Sequence, residues 1–354
     1  MSNPYKNIDD VCFWSRAMSN PAPGHIDPVT TSELIHPHHK VATMGSCFAQ
    51  HLARHIQATG LTYFVPEQPP PELNADQAKL RNFGVFSARY GNVYTVRQAV
   101  QLFDRAFGQF QPIDDVWKAG QKFVDAFRPQ IEPEQFSSEV DVRAAATNHL
   151  EHVRAVFVES DWLVFTLGLT EAWRSRVDGA VYPIVPGVAG GHFDPAKYEF
   201  VNFSADEVKH DLVQFIEKVR SVNPRLRILL TVSPVPLIAT YERRHVWVST
   251  TVSKAILRVS ADEAERKFQN VTYFPSYEVI TSPTAAGKYY ADNFRDVTAI
   301  GVKHVMRLFT AHFVENAAPL GFTLAANPAL SSVVDPGVVC DEEIIEKSMR
   351  ISGF

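Results

Sequence analysis

Short apolar runs alternate with amphipathic stretches along the chain. The apolar runs have the length of buried strands, and the longer stretches repeat apolar residues with a helical period. This alternation predicts a parallel sheet flanked by α-helices, the α/β class. The predicted strands lie near 41–44, 161–168, 227–234 and 271–276, and the predicted helices near 96–108, 143–157, 205–221 and 250–267.

The helix near 205–221 has a signal at each end. Ser204 and Glu207 have the spacing of a capping box, in which the serine caps the helix and the glutamate reaches back. The sequence Val222-Asn223-Pro224 predicts the helix end, because the residue before a proline avoids the helical conformation. A strand is predicted immediately afterwards, at Arg227 to Val232.

A serine lies between the first apolar run and a second helical pattern. Gly45 and Ser46 follow Met44, and the pattern continues from Gln50 to Thr59. A hydroxyl at such a strand-to-helix turn lies beside the first N–H groups of a helix, where anions and oxyanions are stabilised. The turn therefore suits a nucleophile, although a serine before a helix is also an ordinary N-cap.

The chain divides into three predicted parts. Residues 1–30 are an N-terminal extension, 31–315 form the main domain, and 316–354 form a C-terminal tail. Within the domain, 174–203 is a long insertion containing glycine and proline after the second strand. In the tail, Asp341 to Met349 predicts a short helix.

Composition narrows the class of partner. The 354 residues are 45% hydrophobic, enough for a sizeable core, and 34 basic against 39 acidic residues give a net charge of −5. Without a Lys/Arg block, a nucleic acid or an anionic membrane is not expected as the main partner. No metal or nucleotide motif is present, so no cofactor is expected.

Cysteine usage and apolar runs bear on the compartment. The three cysteines Cys12, Cys47 and Cys340 are far apart, and their spacing indicates neither a disulfide framework nor a zinc site. The first residues lack the pattern of a signal peptide, and no run has the roughly 18 apolar residues of a membrane span. A cytoplasmic protein with reduced thiols is expected.

The segment Gly45-Ser46-Cys47-Phe48-Ala49 is identical to the signature of the GSCFA domain family, a branch related to the SGNH hydrolases. The resemblance covers roughly residues 30 to 315. Four later segments also resemble blocks of this family, in order: Arg89-Tyr90-Gly91-Asn92-Val93-Tyr94-Thr95, Phe165-Thr166-Leu167-Gly168-Leu169-Thr170-Glu171-Ala172-Trp173, Thr231-Val232-Ser233-Pro234-Val235-Pro236-Leu237 and Tyr273-Phe274-Pro275-Ser276-Tyr277-Glu278.

The resemblance implies a three-layer α/β/α sandwich of the SGNH or flavodoxin-like type. It also implies a catalytic serine, here Ser46, and an oxyanion hole made by the serine N–H, a glycine N–H and an asparagine amide. Gly91 fits the glycine donor, and Thr170 lies where the superfamily has its asparagine. Asn92 and Glu171 are neighbours of these donors and are assigned to substrate binding.

The resemblance fails at the usual base. An SGNH hydrolase ends its domain with an Asp-x-x-His pair, whereas the matching positions here are Asn293 and Asp296. An aspartate with a pKa of about 4 is a poor base for a serine hydroxyl unless burial raises that pKa. Hydrolysis by the usual mechanism is therefore in doubt.

Two histidines are placed to substitute for this base. His192 lies in the insertion after the second strand, and His245 follows the strand 227–234, so both belong to the carboxyl edge of the sheet, where active groups gather. We favour His245, with Asp296 or Glu278 orienting its ring. The alternative for each is a surface or structural histidine.

Three further side chains have a functional and an ordinary interpretation. Cys47 is a rival nucleophile, because a helix N-terminus lowers a thiol pKa, or it is a small buried packing residue. Trp173 and Tyr277 are candidates for stacking on a sugar, or they belong to the core.

The sequence thus favours a serine esterase or acyltransferase acting on O-acyl, in particular O-acetyl, groups of a carbohydrate. The alternative is a catalytically silent glycan-binding or scaffold protein that keeps Ser46 for its turn. A histidine nitrogen within about 3.5 Å of Ser46 Oγ, with a carboxylate behind it, favours the esterase, whereas an empty neighbourhood favours the binding protein. The esterase also needs this hydroxyl to be open to a pocket.

Overall fold

Five parallel strands form the central sheet in a computed structural model that describes residues 3–19, 24–31, 33–315, 338 and 340–351. Their order across the sheet is β10-β9-β5-β1-β2. The described strands are β1 (Lys40–Gly45), β2 (Thr62–Tyr63), β3 (Val116–Ala119), β4 (Lys122–Asp125), β5 (Trp162–Leu167), β6 (Glu171–Ser175), β7 (Val181–Tyr182), β8 (Tyr198–Asn202), β9 (Arg227–Val232) and β10 (Val271–Tyr273).

Helices cover both faces of this sheet, which confirms the α/β/α sandwich. The described helices are α1 (Trp14–Ala17), α2 (Ala49–Ala58), α3 (Ala75–Leu80), α4 (Val96–Ala106), α5 (Glu139–Glu159), α6 (Ala205–Val222), α7 (Val246–Lys267), α8 (Ser276–Thr281), α9 (Ala299–Phe313) and α10 (Glu343–Ile351). No helix within the described ranges is long and apolar enough to cross a membrane.

Alternate residues of the strands supply two separate cores. In β5, Trp162 and Val164 pack with α2, α8 and α9, whereas Leu163 and Phe165 pack with α4 to α7. This alternation follows from the two-residue period of a strand, and a strand buried on both faces is apolar throughout. The continuous apolar runs in the sequence are therefore the central strands.

The ends of α6 confirm the sequence prediction. The Ser204 side chain accepts from the Glu207 N–H while the glutamate side chain accepts from the serine N–H, and the helix ends at Val222. The predicted tail helix is present as α10, two residues later than expected.

The predicted insertion 174–203 contains regular structure. Strand β6 pairs antiparallel with both β7 and β8, and Tyr182 of β7 and Tyr198 of β8 pack with Trp117 of the β3–β4 hairpin. This small subdomain lies directly after β5 in the chain, so its first strand begins at the carboxyl edge of the central sheet.

Candidate functional site at the carboxyl edge of β1 and β5

Ser46 lies where the strand order reverses. The chain places β2 on one side of β1 and β5 on the other, so the crevice between the carboxyl ends of β1 and β5 is the switch point at which α/β sheets bind ligands. Gly45 pairs with Thr166 at this point and has a φ of 126°. A Cβ atom there would lie 2.2 Å from the Thr166 carbonyl oxygen, so only glycine fits before the serine.

The Ser46 hydroxyl is buried, and within the described ranges it has no hydrogen-bond partner. The side chain is 2% exposed. It does not cap α2, whose N-cap is Phe48. The Ser46 N–H donates to the Thr166 carbonyl at 3.0 Å, so this amide continues the ladder with β5 and is not the expected oxyanion donor.

A loop from Arg89 to Tyr94 is fixed beside this turn. The buried Arg89 guanidinium donates to the Arg81 carbonyl, and its backbone N–H donates to Glu67. The Tyr90 hydroxyl donates to the Thr43 carbonyl of β1. The Val93 N–H donates to the Gly45 carbonyl at 2.8 Å, so the loop is bonded to the residue that precedes the serine.

Asn92, at the centre of this loop, directs two N–H donors at one carboxylate oxygen. Its Nδ2 lies 2.8 Å and its backbone N 3.4 Å from Oδ2 of Asp341. The other oxygen, Oδ1, accepts from Nε2 of Gln130 at 3.0 Å. The donors thus belong to Asn92, one residue after the predicted Gly91.

A buried lysine lies on the other side of the turn. Lys254 of α7 donates from Nζ to the Gly168 carbonyl at 2.7 Å and is 1% exposed. A Cβ atom at Gly168 would lie 3.0 Å from Cβ of Ser46, so the amine is bonded to the residue packed against the serine. Burial lowers the pKa of Lys254 to about 8.

Cys47 meets the C-terminal tail. Its thiol is buried and hydrogen-bonds with Cys340, which together with burial raises the pKa of Cys47 well above its usual value. The same bond and the Arg295 guanidinium, whose Nη2 lies 3.3 Å from Sγ, lower the pKa of Cys340 to about 6. The more acidic thiol is therefore Cys340, and Cys47 is not activated as a nucleophile.

The pair that replaces Asp-x-x-His is bonded to itself. Asn293 Nδ2 donates to Asp296 Oδ2 at 2.7 Å, and Asn293 is exposed. The intervening Arg295 extends toward the tail, with Nη2 3.3 Å from Oε2 of Glu342. The segment 293–296 therefore contributes the Arg295 guanidinium, rather than a base, to this edge of the sheet.

The two predicted histidines are not hydrogen-bonded to Ser46. His245 is exposed and caps α7, with Nδ1 accepting from the Trp247 N–H at 3.2 Å. His192 is exposed between β7 and β8, next to Gly191, which donates to the Lys118 carbonyl of β3. The structure therefore does not bring either ring together with the serine.

The predicted Thr170 and Glu171 bond to the small subdomain and the loop after β9. The Thr170 hydroxyl donates to Asn202 Oδ1 at 2.8 Å and is thus not directed to an oxyanion at Ser46. Glu171 accepts from the Thr240 hydroxyl at 2.7 Å, and burial raises its pKa. Both residues have structural partners.

The predicted aromatic residues lie in different surroundings. The Trp173 ring meets those of Phe193, Phe200 and Tyr241 edge-on, with centroids 4.9 to 5.9 Å apart. Tyr277 is half-buried against the core on the α4–α7 side, while Glu278 pairs with Arg258 at 2.7 Å. Whether a sugar stacks on Trp173 stays a prediction.

A small cleft, partly open to solvent, adjoins the Asn92 loop. Gly91, Asn92, Gln130 and Asp341 line one part of it, and Arg89 and Arg128 another. Ser46 is not among its lining residues. The tail carboxylate thus lies between this cleft and the serine turn.

The fold and this edge define a flavodoxin-like α/β/α protein with a serine turn at the switch point. The chain belongs to the GSCFA family, whose family model matches residues 40–309. Comparison with curated proteins and with solved structures finds no match. The relation to SGNH hydrolases stays a prediction.

Proposed function

We propose that the protein is a serine esterase or acyltransferase that acts on O-acyl, in particular O-acetyl, groups of a carbohydrate. In this proposal Ser46 Oγ attacks the acyl carbonyl carbon and its proton passes to a neighbouring base. The sugar oxygen leaves with a proton, and an acyl-enzyme ester remains on Ser46. Water or a second hydroxyl then accepts the acyl group.

The observation that carries the proposal is the pair of donors from Asn92. Both N–H groups point at one carboxylate oxygen, at 2.8 and 3.4 Å, and the loop that holds them is bonded to Gly45. A carboxylate oxygen has the partial negative charge of the oxyanion that forms during acyl transfer. Fixed donors at such a position lower the barrier because they need no reorganisation during the reaction.

Lys254 supports the proposal as the base. Its amine is buried, its pKa is about 8, and it is bonded to Gly168 against the serine. A lysine near neutrality can accept a hydroxyl proton, and burial is the usual way of lowering its pKa. Lys254 would then take the role that we predicted for His245.

The test is hydrolysis of p-nitrophenyl acetate and of an acetylated oligosaccharide by the wild type, Ser46→Ala and Asn92→Ala. We expect loss of acyl-enzyme, detected by mass spectrometry, in Ser46→Ala, and a fall in kcat of about 10²- to 10³-fold in Asn92→Ala. Ser260→Ala removes another buried serine hydroxyl and is the matched control. An unchanged rate in Ser46→Ala would show that Ser46 is not the nucleophile.

A catalytically silent glycan-binding or scaffold protein is the second candidate, and one observation favours it. The Ser46 hydroxyl is 2% exposed, and no described side chain hydrogen-bonds with it. In that case the acetylated oligosaccharide binds without turnover and Ser46→Ala leaves its Kd unchanged. Calorimetry with the same ligand separates the two candidates.

A further inference from the structure

We propose that residues 340–342 are an intramolecular plug that occupies the oxyanion end of the Ser46 site and must leave before a substrate enters. We call these three residues the plug. The assignment of an oxyanion site rests on the proposed function. The contacts of the plug are present whether or not Ser46 is catalytic.

The central residue of the plug takes the donors that an acyl oxygen would need. Asp341 Oδ2 accepts from both N–H groups of Asn92, and Oδ1 accepts from Gln130. The Asp341 backbone N–H donates to the Tyr94 hydroxyl at 3.0 Å. An acyl group cannot reach Asn92 while this carboxylate is present.

The flanking residues fix the plug at the serine turn. Cys340 hydrogen-bonds with Cys47, the residue after Ser46, and Arg295 contacts both Cys340 and Glu342 at 3.3 Å. All three plug residues are at most 8% exposed. The tail therefore contributes to the burial of this edge of the sheet.

The plug lies outside the part of the chain that the family model matches. That match ends at residue 309, whereas the plug begins at 340.

Burying the plug has a free-energy cost that favours its release. Burial raises the pKa of Asp341 to about 6 and that of Glu342 to about 8, so each carboxylate is less stable as an anion here than in water. Asp341 also lines the open cleft beside Gly91 and Asn92. Its departure would extend that cleft toward Cys47 and the serine.

The test uses the full chain with Asp341→Arg, which removes the bonds to Asn92 and adds a cation to a cleft already lined by Arg89 and Arg128. The exposed Glu346→Gln in α10 is the matched control. The first readout is alkylation of Cys47 by iodoacetamide, which needs no catalysis. We expect at least a tenfold faster reaction in Asp341→Arg, and the wild-type rate in Glu346→Gln.

The second readout is acylation of Ser46 by p-nitrophenyl acetate, which we also expect to rise at least tenfold. A synthetic peptide of residues 338–354 should restore the slow rates, whereas its Asp341→Asn form should bind less tightly. Thermal unfolding of each variant checks that the domain is intact, and reversal by the peptide distinguishes release from unfolding.

The outcomes separate the two proposals. Equal Cys47 alkylation in wild type and Asp341→Arg would overturn the plug, whatever the hydrolysis rates. Faster alkylation without any acylation of Ser46 would support the plug and reject the esterase. If alkylation is faster but the peptide cannot reverse it, Asp341 has a structural role, and the plug proposal is wrong.

Discussion

Oδ2 of Asp341 lies 2.8 Å from Nδ2 of Asn92, although the two residues are 249 positions apart in the chain. The asparagine belongs to a loop bonded to β1, and the aspartate belongs to a tail outside the family match. A residue within the matched range thus binds one from a segment that the match does not cover. This hydrogen bond joins the proposed oxyanion donor to the proposed plug.

Replacing Lys254 by methionine should abolish acyl transfer and leave the fold intact. Methionine keeps the length of the buried stem and removes an amine whose burial is unfavourable, but it also leaves the Gly168 carbonyl without this donor, so we expect the two effects to offset and the Tm to change little. The loss of a base predicts a fall in kcat of about 10²- to 10⁴-fold. Lys209→Met, on an exposed lysine, is the control, and full activity in Lys254→Met would exclude the lysine as base.

Oxidation should join Cys47 to Cys340. Diamide accepts two electrons and two protons from the thiols as the disulfide forms, and the acidic Cys340 thiol reacts first. We expect peptide mapping to find this bond, and hydrolysis to stop until dithiothreitol is added, because the plug is then covalently attached.

Two cysteine substitutions test whether the disulfide forms specifically between Cys47 and Cys340. Cys12 is exposed, so Cys12→Ser should leave the intramolecular bond unchanged, whereas Cys340→Ser should prevent it. If Cys47 stays reduced under diamide in the wild type, the two thiols are not in contact and the prediction is wrong.

Gly45→Ala should be far more destabilising than Gly60→Ala. Both glycines have a positive φ, 126° and 79°, but only at Gly45 does a Cβ atom meet backbone, 2.2 Å from the Thr166 oxygen. We expect a loss of about 1 kcal/mol at Gly60 and at least about 3 kcal/mol at Gly45. Urea unfolding measures both, and equal losses would mean that β1 and β5 separate easily here.

His304 should make the protein less stable in acid. Burial lowers its pKa from 6.5 to about 4, and the ring is neutral, with Nε2–H donating to the Ile26 carbonyl and Nδ1 accepting from Tyr289. The unfolded chain binds a proton near pH 6.5, whereas the folded chain binds it only near pH 4. The stabilisation is therefore complete above pH 6.5 and is lost as the pH falls toward 4, by up to about 3 kcal/mol.

Urea unfolding between pH 7.5 and pH 4 tests this prediction. His304→Gln has no titrating group and keeps an amide donor for the Ile26 carbonyl, so its free energy of unfolding should fall less steeply than that of the wild type. His210→Gln, on an exposed histidine, is the control. Parallel curves for the wild type and His304→Gln would contradict the assignment.

The sequence was sufficient for the fold because the central strands are buried on both faces and are therefore apolar throughout. The turn at Ser46 followed from the same pattern, and the ends of α6 followed from local capping chemistry. Each of these features is determined by residues that are close together in the sequence.

The residues that surround Ser46 could not be predicted in the same way. Lys254 lies in an amphipathic helix, where a lysine usually faces solvent, and only the packing of α7 on Gly168 buries it. His245 was placed at the correct edge, yet it caps its own helix. The contact between Asn92 and Asp341 depends on where the tail folds back, which no local pattern contains.

The Ser46 amide is bonded to β5, while the donors proposed for the oxyanion come from a loop that Arg89 and Tyr90 hold. The Val93 N–H also bonds this loop to the Gly45 carbonyl, so the proposed nucleophile and the proposed donors are both tied to the end of β1. A substitution that displaces Arg89 or Tyr90 should therefore disturb the donors and the serine turn together.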